Sequence, residues 1–179
     1  MKMPWSFAAV AGVAAIAALA FVQSQEGEAG PAERTGSTEQ PIAFPHAKHA
    51  GEFQIDCQYC HFSAERSVDA GIPPVASCMG CHSVVMGRNQ PEEVQKLREF
   101  WQRGEAIPWV RIYKVADHVK FPHMRHVAAD AGALECQECH GLVEEMEVIE
   151  DVEQPLKMGW CVNCHRENEA SVDCTVCHY

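Results

Sequence analysis

The sequence predicts a mainly α-helical chain with much irregular backbone, and one transmembrane helix at its N-terminus. Three observations predict it. Cys-x-x-Cys-His occurs five times and uses every cysteine; the ten histidines divide evenly between those motifs and the rest of the chain; and an apolar run stands near the N-terminus.

The five motifs are Cys57–His61, Cys78–His82, Cys136–His140, Cys161–His165 and Cys174–His178, with the paired thiols Cys57/Cys60, Cys78/Cys81, Cys136/Cys139, Cys161/Cys164 and Cys174/Cys177. This is the attachment signature of c-type haem: two thiols add to the two vinyl groups of one porphyrin, and the following His becomes an iron ligand. Five haem c are therefore expected, with His61, His82, His140, His165 and His178 as proximal ligands. Zinc is the competing reading, but zinc sites pair two such units and do not demand a His after each. Disulfides within the motifs would staple only tiny loops.

Five histidines remain: His46, His49, His118, His123 and His126. Four sit in a repeated segment, Phe44-Pro45-His46-Ala47-Lys48-His49 and Phe121-Pro122-His123-Met124-Arg125-His126, each upstream of a motif. The i, i+3 spacing puts both imidazoles on one side of a helical turn, where they can serve two adjacent haems. The fifth distal position is open between His118 and a methionine, with Met158, Met79, Met86, Met124 and Met146 as candidates. A Met ligand would raise the haem potential.

With five macrocycles to wrap, the haems supply much of the core, so several short helices, little strand and an unfolded apo-protein are expected. The formal charge of −11 disfavours nucleic acid as a partner and suits docking to a basic redox partner.

Along the chain, residues 1–22 carry Lys2 and an apolar run from Phe7 to Val22. Ala18-Leu19-Ala20 would fit a cleaved secretory signal. The alternative is an uncleaved anchor, for which the 16-residue run lies near the lower limit of a span. We read it as a retained single-pass anchor packed against other membrane subunits. Lys2 then marks the cytoplasmic end and the haem region lies on the periplasmic side.

Residues 23–41 form a polar linker without periodicity, and a two-haem module follows at 42–90. Residues 91–117 form a helix, about 91–103, and an extended connector. Pro91 suits the first helical turn, Glu92 and Glu93 its positive end, and Gly104 a left-handed cap. Glu92–Lys96 and Glu99–Arg103 are expected i, i+4 pairs, and Val94, Leu97, Phe100 and Trp101 the apolar side. A three-haem module occupies 118–179, and its acidic stretch from Glu144 to Glu153 reads as a solvated face. The two Phe-Pro-His-x-x-His copies make an internal pseudo-repeat.

On these residues the chain resembles the class III multihaem cytochromes c. The order of anchor, His-x-x-His, two motifs, helix, Trp109-Val110-Arg111, His-x-x-His and three motifs is more closely similar to the pentahaem cytochrome c subunit of alternative complex III, as are the strings from Met158 to Arg166 and from Asp173 to Tyr179. The resemblance covers nearly all of the chain after about residue 41. It implies a bacterial membrane complex that oxidises quinol, whose partner subunits are an iron–sulfur protein, a monohaem cytochrome c and polytopic quinol-binding proteins. It also implies a family that mixes bis-His with His/Met haems; a chain with no catalysis of its own is expected separately, because all five motifs end in His and distal candidates suffice for every iron.

The expected function is an electron-transfer subunit of such a complex. A soluble or self-anchored periplasmic carrier and a haem quinol dehydrogenase are the alternatives. A multihaem reductase needs an open iron position, whereas distal candidates here suffice for every iron.

Overall fold

The computed structural model describes residues 39–179, which belong to one compact unit. The expected anchor at 1–22 and nearly all of the linker lie outside the described residues. Among the described residues no strand forms, and no helix is long and apolar enough to cross a membrane.

The chain folds into seven short helices joined by irregular segments and two 3₁₀ turns. They are a π-helical turn α1 (Ala47–Glu52), α2 (Cys57–Cys60), α3 (Val75–His82), α4 (Pro91–Arg103), α5 (His123–Val127), α6 (Gln137–His140) and α7 (Met158–Glu167); the 3₁₀ turns are Val143–Glu145 and Cys174–Val176. The loop between the first two motifs ends at Pro74, so Val75 to Ser77 are already helical.

α4 is the longest element, and its ends show why. Pro91 opens it, with Glu92 and Glu93 in the first turn. Gly104 closes it at φ 68°, a left-handed conformation that costs glycine nothing. The N–H of Glu105 reaches the Phe100 carbonyl and that of Gly104 the Trp101 carbonyl, a Schellman ending. Val94 and Leu97 are buried, and Phe100 packs beside them. Trp101, expected on the same side, is 49% exposed. The charge pairs also shift: Lys96 meets Glu93, Glu99 accepts from Gln95, and Arg103 turns to Glu105. Glu93 is the more favourable partner because it also accepts the Ala43 N–H at 2.7 Å, which holds it in place.

α4 lies on α3, where Leu97 and Phe100 join Val75, Cys78 and Met79, closed by Ile42, Ile107 and Trp109. The Arg98 guanidinium donates to the carbonyls of His82 and Ser83, at 3.0 and 3.3 Å. A cation at the negative end of α3 is favourable there. Gln40 bonds both ways with the backbone of Val110, which ties the first described residues to the connector.

This apolar core is small. Only Ile42, Val75, Val94, Leu97, Ile107 and Ala128 are buried among the described residues, while Phe53, Tyr59, Phe62 and Val84 stand more than half exposed. A chain of this length ordinarily buries far more apolar surface. The protein's own side chains do not supply the hydrophobic interior.

Candidate cofactor sites

The five motifs, numbered here as sites 1 to 5 in chain order, sit on short helical turns. Two are opened by an aspartate immediately before the first cysteine. Asp56 accepts the Gln58 N–H at 2.7 Å and Asp173 the Thr175 N–H at 2.8 Å. Such N-caps satisfy donors that so short a helix leaves orphaned. Sites 2 and 4 lie within α3 and α7.

The imidazoles are held by the backbone. Nδ1 of His49 faces the Pro45 carbonyl at 2.9 Å, His61 that of Gly71 at 2.7 Å, and His82 that of Val85 at 2.9 Å. His123 faces Val68 at 2.8 Å, His126 faces Pro122 at 2.9 Å, His165 faces Ser171 at 2.6 Å, and His178 faces His118 at 2.9 Å. A carbonyl only accepts, so Nδ1 donates in each case and Nε2 carries the free lone pair. This is how proteins orient an imidazole for a metal. Nδ1 of His46 is different: it is buried without a hydrogen-bond partner.

The rings also face one another. His49 and His82 have centroids 6.1 Å apart, as do His126 and His165; His118 and His178 are 5.5 Å apart and nearly parallel, at 19°. Metal–nitrogen bonds of about 2 Å on each side, plus ~1 Å to each ring centre, put the two axial imidazoles of one metal ~6 Å apart. Burial, followed by the neighbouring His61 and His49, pushes His46 down to about 4. Burial, followed by His123 and His61, pushes His140 down to about 4. A buried imidazole kept neutral keeps its lone pair for a metal.

The thiols are brought together in a pattern across motifs. Burial raises Cys136 to about 11, aided by the nearby Cys57. Burial and then Cys60 raise Cys78; burial and then Cys164 raise Cys139; burial and then Cys177 raise Cys161. Among the described residues no three His, Cys, Asp or Glu side chains converge as a closed zinc site would require. Paired imidazoles, an orphaned buried Nδ1, thiols beside them and uncovered apolar side chains fit an axially ligated, covalently tied macrocycle.

Met158, a sequence candidate for the fifth distal position, is 71% exposed, and Met86 lies against Arg98. Met79 packs into the small core. His118 instead stands beside the His178 ring. The sequence did not reveal the rings stacked on these imidazoles. Phe44 stacks on His49 at 4.4 Å and Phe121 on His126 at 4.2 Å, while Tyr113 lies 4.3 Å from His140. The Phe-Pro-His-x-x-His repeat was the available signal for the first two.

Comparison with known proteins agrees with this geometry. Residues 22–106 match the class III cytochrome c family, and residues 119–179 match the family of cytochrome c7 and related cytochromes c. A protein of Nitratidesulfovibrio vulgaris named menaquinone reductase, multiheme cytochrome c subunit, is 31% identical over 167 residues, covering 78% of this chain and 77% of that protein. The chain belongs to the multihaem cytochromes c of the class III and c7 type, which hold c-type haem covalently and transfer electrons.

Proposed function

We propose that this chain binds five haem c and serves as the electron-transfer subunit of a quinone-linked membrane complex. The carrying observation is the pairing of its histidines. His49 faces His82, His126 faces His165 and His118 faces His178. With those taken, His46 falls to His61 and His123 to His140, which are neighbours in each case. Each pair joins one motif histidine to one of the other five.

Cys57, Cys60, Cys78, Cys81, Cys136, Cys139, Cys161, Cys164, Cys174 and Cys177 would form the thioether links. The bound haem iron supplies reversible one-electron exchange. The chain's own residues set where that exchange occurs. Backbone carbonyls fix seven imidazoles, Phe44 and Phe121 lock the second His of each repeat, and two ligands per iron leave no position for a reacting substrate. On this reading the subunit is not itself an enzyme. His118, rather than Met158 or Met79, fills the fifth distal place.

The wider assignment rests on the resemblance to alternative complex III and on the relative's name. The chain is anchored by residues 1–22, with its haem region outside the cytoplasmic membrane. Its partners are an iron–sulfur protein, a monohaem cytochrome c and polytopic quinol-binding subunits, and electrons leave quinol for a periplasmic carrier or a terminal oxidase. The relative's name supports a second reading in which electrons run toward quinone. Native purification with subunit identification tests the complex. Oxidation of menaquinol or reduction of menaquinone by the purified assembly separates the two directions. A chain recovered alone and water-soluble would overturn the assembly and leave the soluble carrier.

A further inference from the structure

Main-chain bonds join the two halves of the molecule. The N–H groups of His46 and Ala47 donate to the carbonyls of Glu147 and Met146, at 3.1 and 2.7 Å, and those of His123 and Met124 to the carbonyls of Val68 and Ser67, both at 3.0 Å. This crossed exchange fixes where the histidine segments lie. Four of the five motif histidines are then steered at Nδ1 by a carbonyl: His61 by Gly71, His82 by Val85, His165 by Ser171 and His178 by His118. His140 is held differently. Among the described residues no carbonyl stands opposite its Nδ1, and the ring of Tyr113 lies against it instead, with centroids 4.3 Å apart and planes at 53°. The terminal torsion of a histidine is broad, so its ring angle has to be set from outside.

Tyr113 is itself tied down. The Glu153 N–H donates to its Oη at 3.1 Å. The hydroxyl in turn faces the His140 carbonyl at 3.5 Å, the outer edge of a hydrogen bond, so the Glu153 bond is the firmer tether. Glu153 also packs on the residue after His140: a Cβ at Gly141 would meet its Cγ at 2.8 Å, and Gly141 has φ 69°. On the other side, the Gln40 side chain bonds both ways with the backbone of Val110, at 2.9 and 3.0 Å, which sets the register of the connector three residues before Tyr113. Arg111 meets Asp69 at 3.0 Å, but both are exposed and the pair adds little.

The geometry points to Tyr113 as the positioning residue of His140: its ring sets the imidazole angle that a carbonyl sets at the other four motifs, and its hydroxyl holds that ring in place. This deepens the five-haem reading and rests on it, since His140 is there the proximal ligand of site 3. Tyr113 acts through His140. The orientation and hydrogen bonding of an axial imidazole tune the metal it holds, so the connector contributes to the properties of one site out of five.

The full holoprotein is compared with Tyr113→Phe, which keeps the ring, and Tyr113→Leu, which removes it. The readouts are the low-spin ferric signals in electron paramagnetic resonance and a potentiometric titration, because both follow the angle of the axial ligands and a purely structural role would move neither. Tyr113→Leu should shift one low-spin signal and one potential, leaving the rest in place. The shifted signal should be the one that turns high-spin in His140→Ala. Tyr113→Phe should restore most of the wild-type values. Tyr113→Met, which fills the space without a ring, replaces Tyr113→Leu where the latter lowers haem content. Signals that stay at the wild-type position without the ring overturn the proposal, as does a shift at another site or one as large in Tyr113→Phe. Intact mass of the wild-type protein counts haems independently. Fewer than five overturns the underlying reading, whereas five haems with unmoved signals overturn the role of Tyr113 alone.

Discussion

The two copies of Phe-Pro-His-x-x-His share their local geometry and differ in their surroundings. In both, the phenylalanine stacks on the second histidine and meets the first edge-on, at 82° and 88°. In both, the second histidine donates to the proline carbonyl four residues back. The backbone nevertheless differs: the first copy runs into a π-helical turn and the second into an α-helical one. The first histidine differs too. His123 donates to Val68, whereas His46 is buried with Nδ1 unpartnered. Six residues suffice to set the angle between two imidazoles, but what surrounds them is set by the other half of the chain.

The largest way to break the comparison is to remove what both copies hold. Chain made without haem attachment should show no cooperative thermal transition in circular dichroism, because its own side chains bury so little. A sharp apo transition would contradict this.

Next come the histidines themselves. His49→Ala and His126→Ala should each open one iron to carbon monoxide, with Soret changes of similar size, since the two copies are locally alike. A carbon monoxide-silent spectrum would remove that residue as a ligand. The wild-type protein should respond barely at all.

Gly51 stands two residues past the first copy, where the second is followed by Ala128. A Cβ there would overlap the Glu144 carbonyl oxygen. Gly51→Ala should therefore lower stability by about 1–3 kcal/mol, as overpacking does, with a reduced denaturation midpoint and an unchanged haem count.

The smallest effect concerns the carboxylate that tethers the first copy. Burial opposes its charge, but Lys96 and the Ala43 N–H outweigh this and hold the Glu93 carboxyl below the usual range. A group whose value is lowered by folding stabilises fully above its unfolded value, and that stabilisation is lost as pH falls through the folded one. Glu93→Gln should thus cost about 1 kcal/mol or less at neutral pH. The gap from wild type should close below the folded carboxyl value, as read from denaturant midpoints against pH. A gap independent of pH would mean that charge plays no part.

What the sequence made legible follows from the reach of each interaction. The motifs and the His-x-x-His segments are short covalent spacings, so they read directly, and α4 carries its own start and stop in Pro91 and Gly104. Side-chain pairing on α4 was not legible: Ala43, fifty residues away in sequence, fixes Glu93, and Lys96 follows it. The company of His118 was equally hidden, because His178 lies sixty residues on. The exposure of Met158 depends on how α7 sits, which its own composition does not state. The exchange between the halves rests on main-chain atoms, and these leave no mark in the sequence.

The crossed docking of the histidine segments also bears on how the protein is made. A polypeptide that emerges N-terminus first presents His46 and Ala47 long before Met146 and Glu147 exist to receive them. The first half has no finished resting state of its own, so a transcript cut short after residue 135 would yield an open fragment rather than a smaller cytochrome. Maturation is tied to completion of the chain.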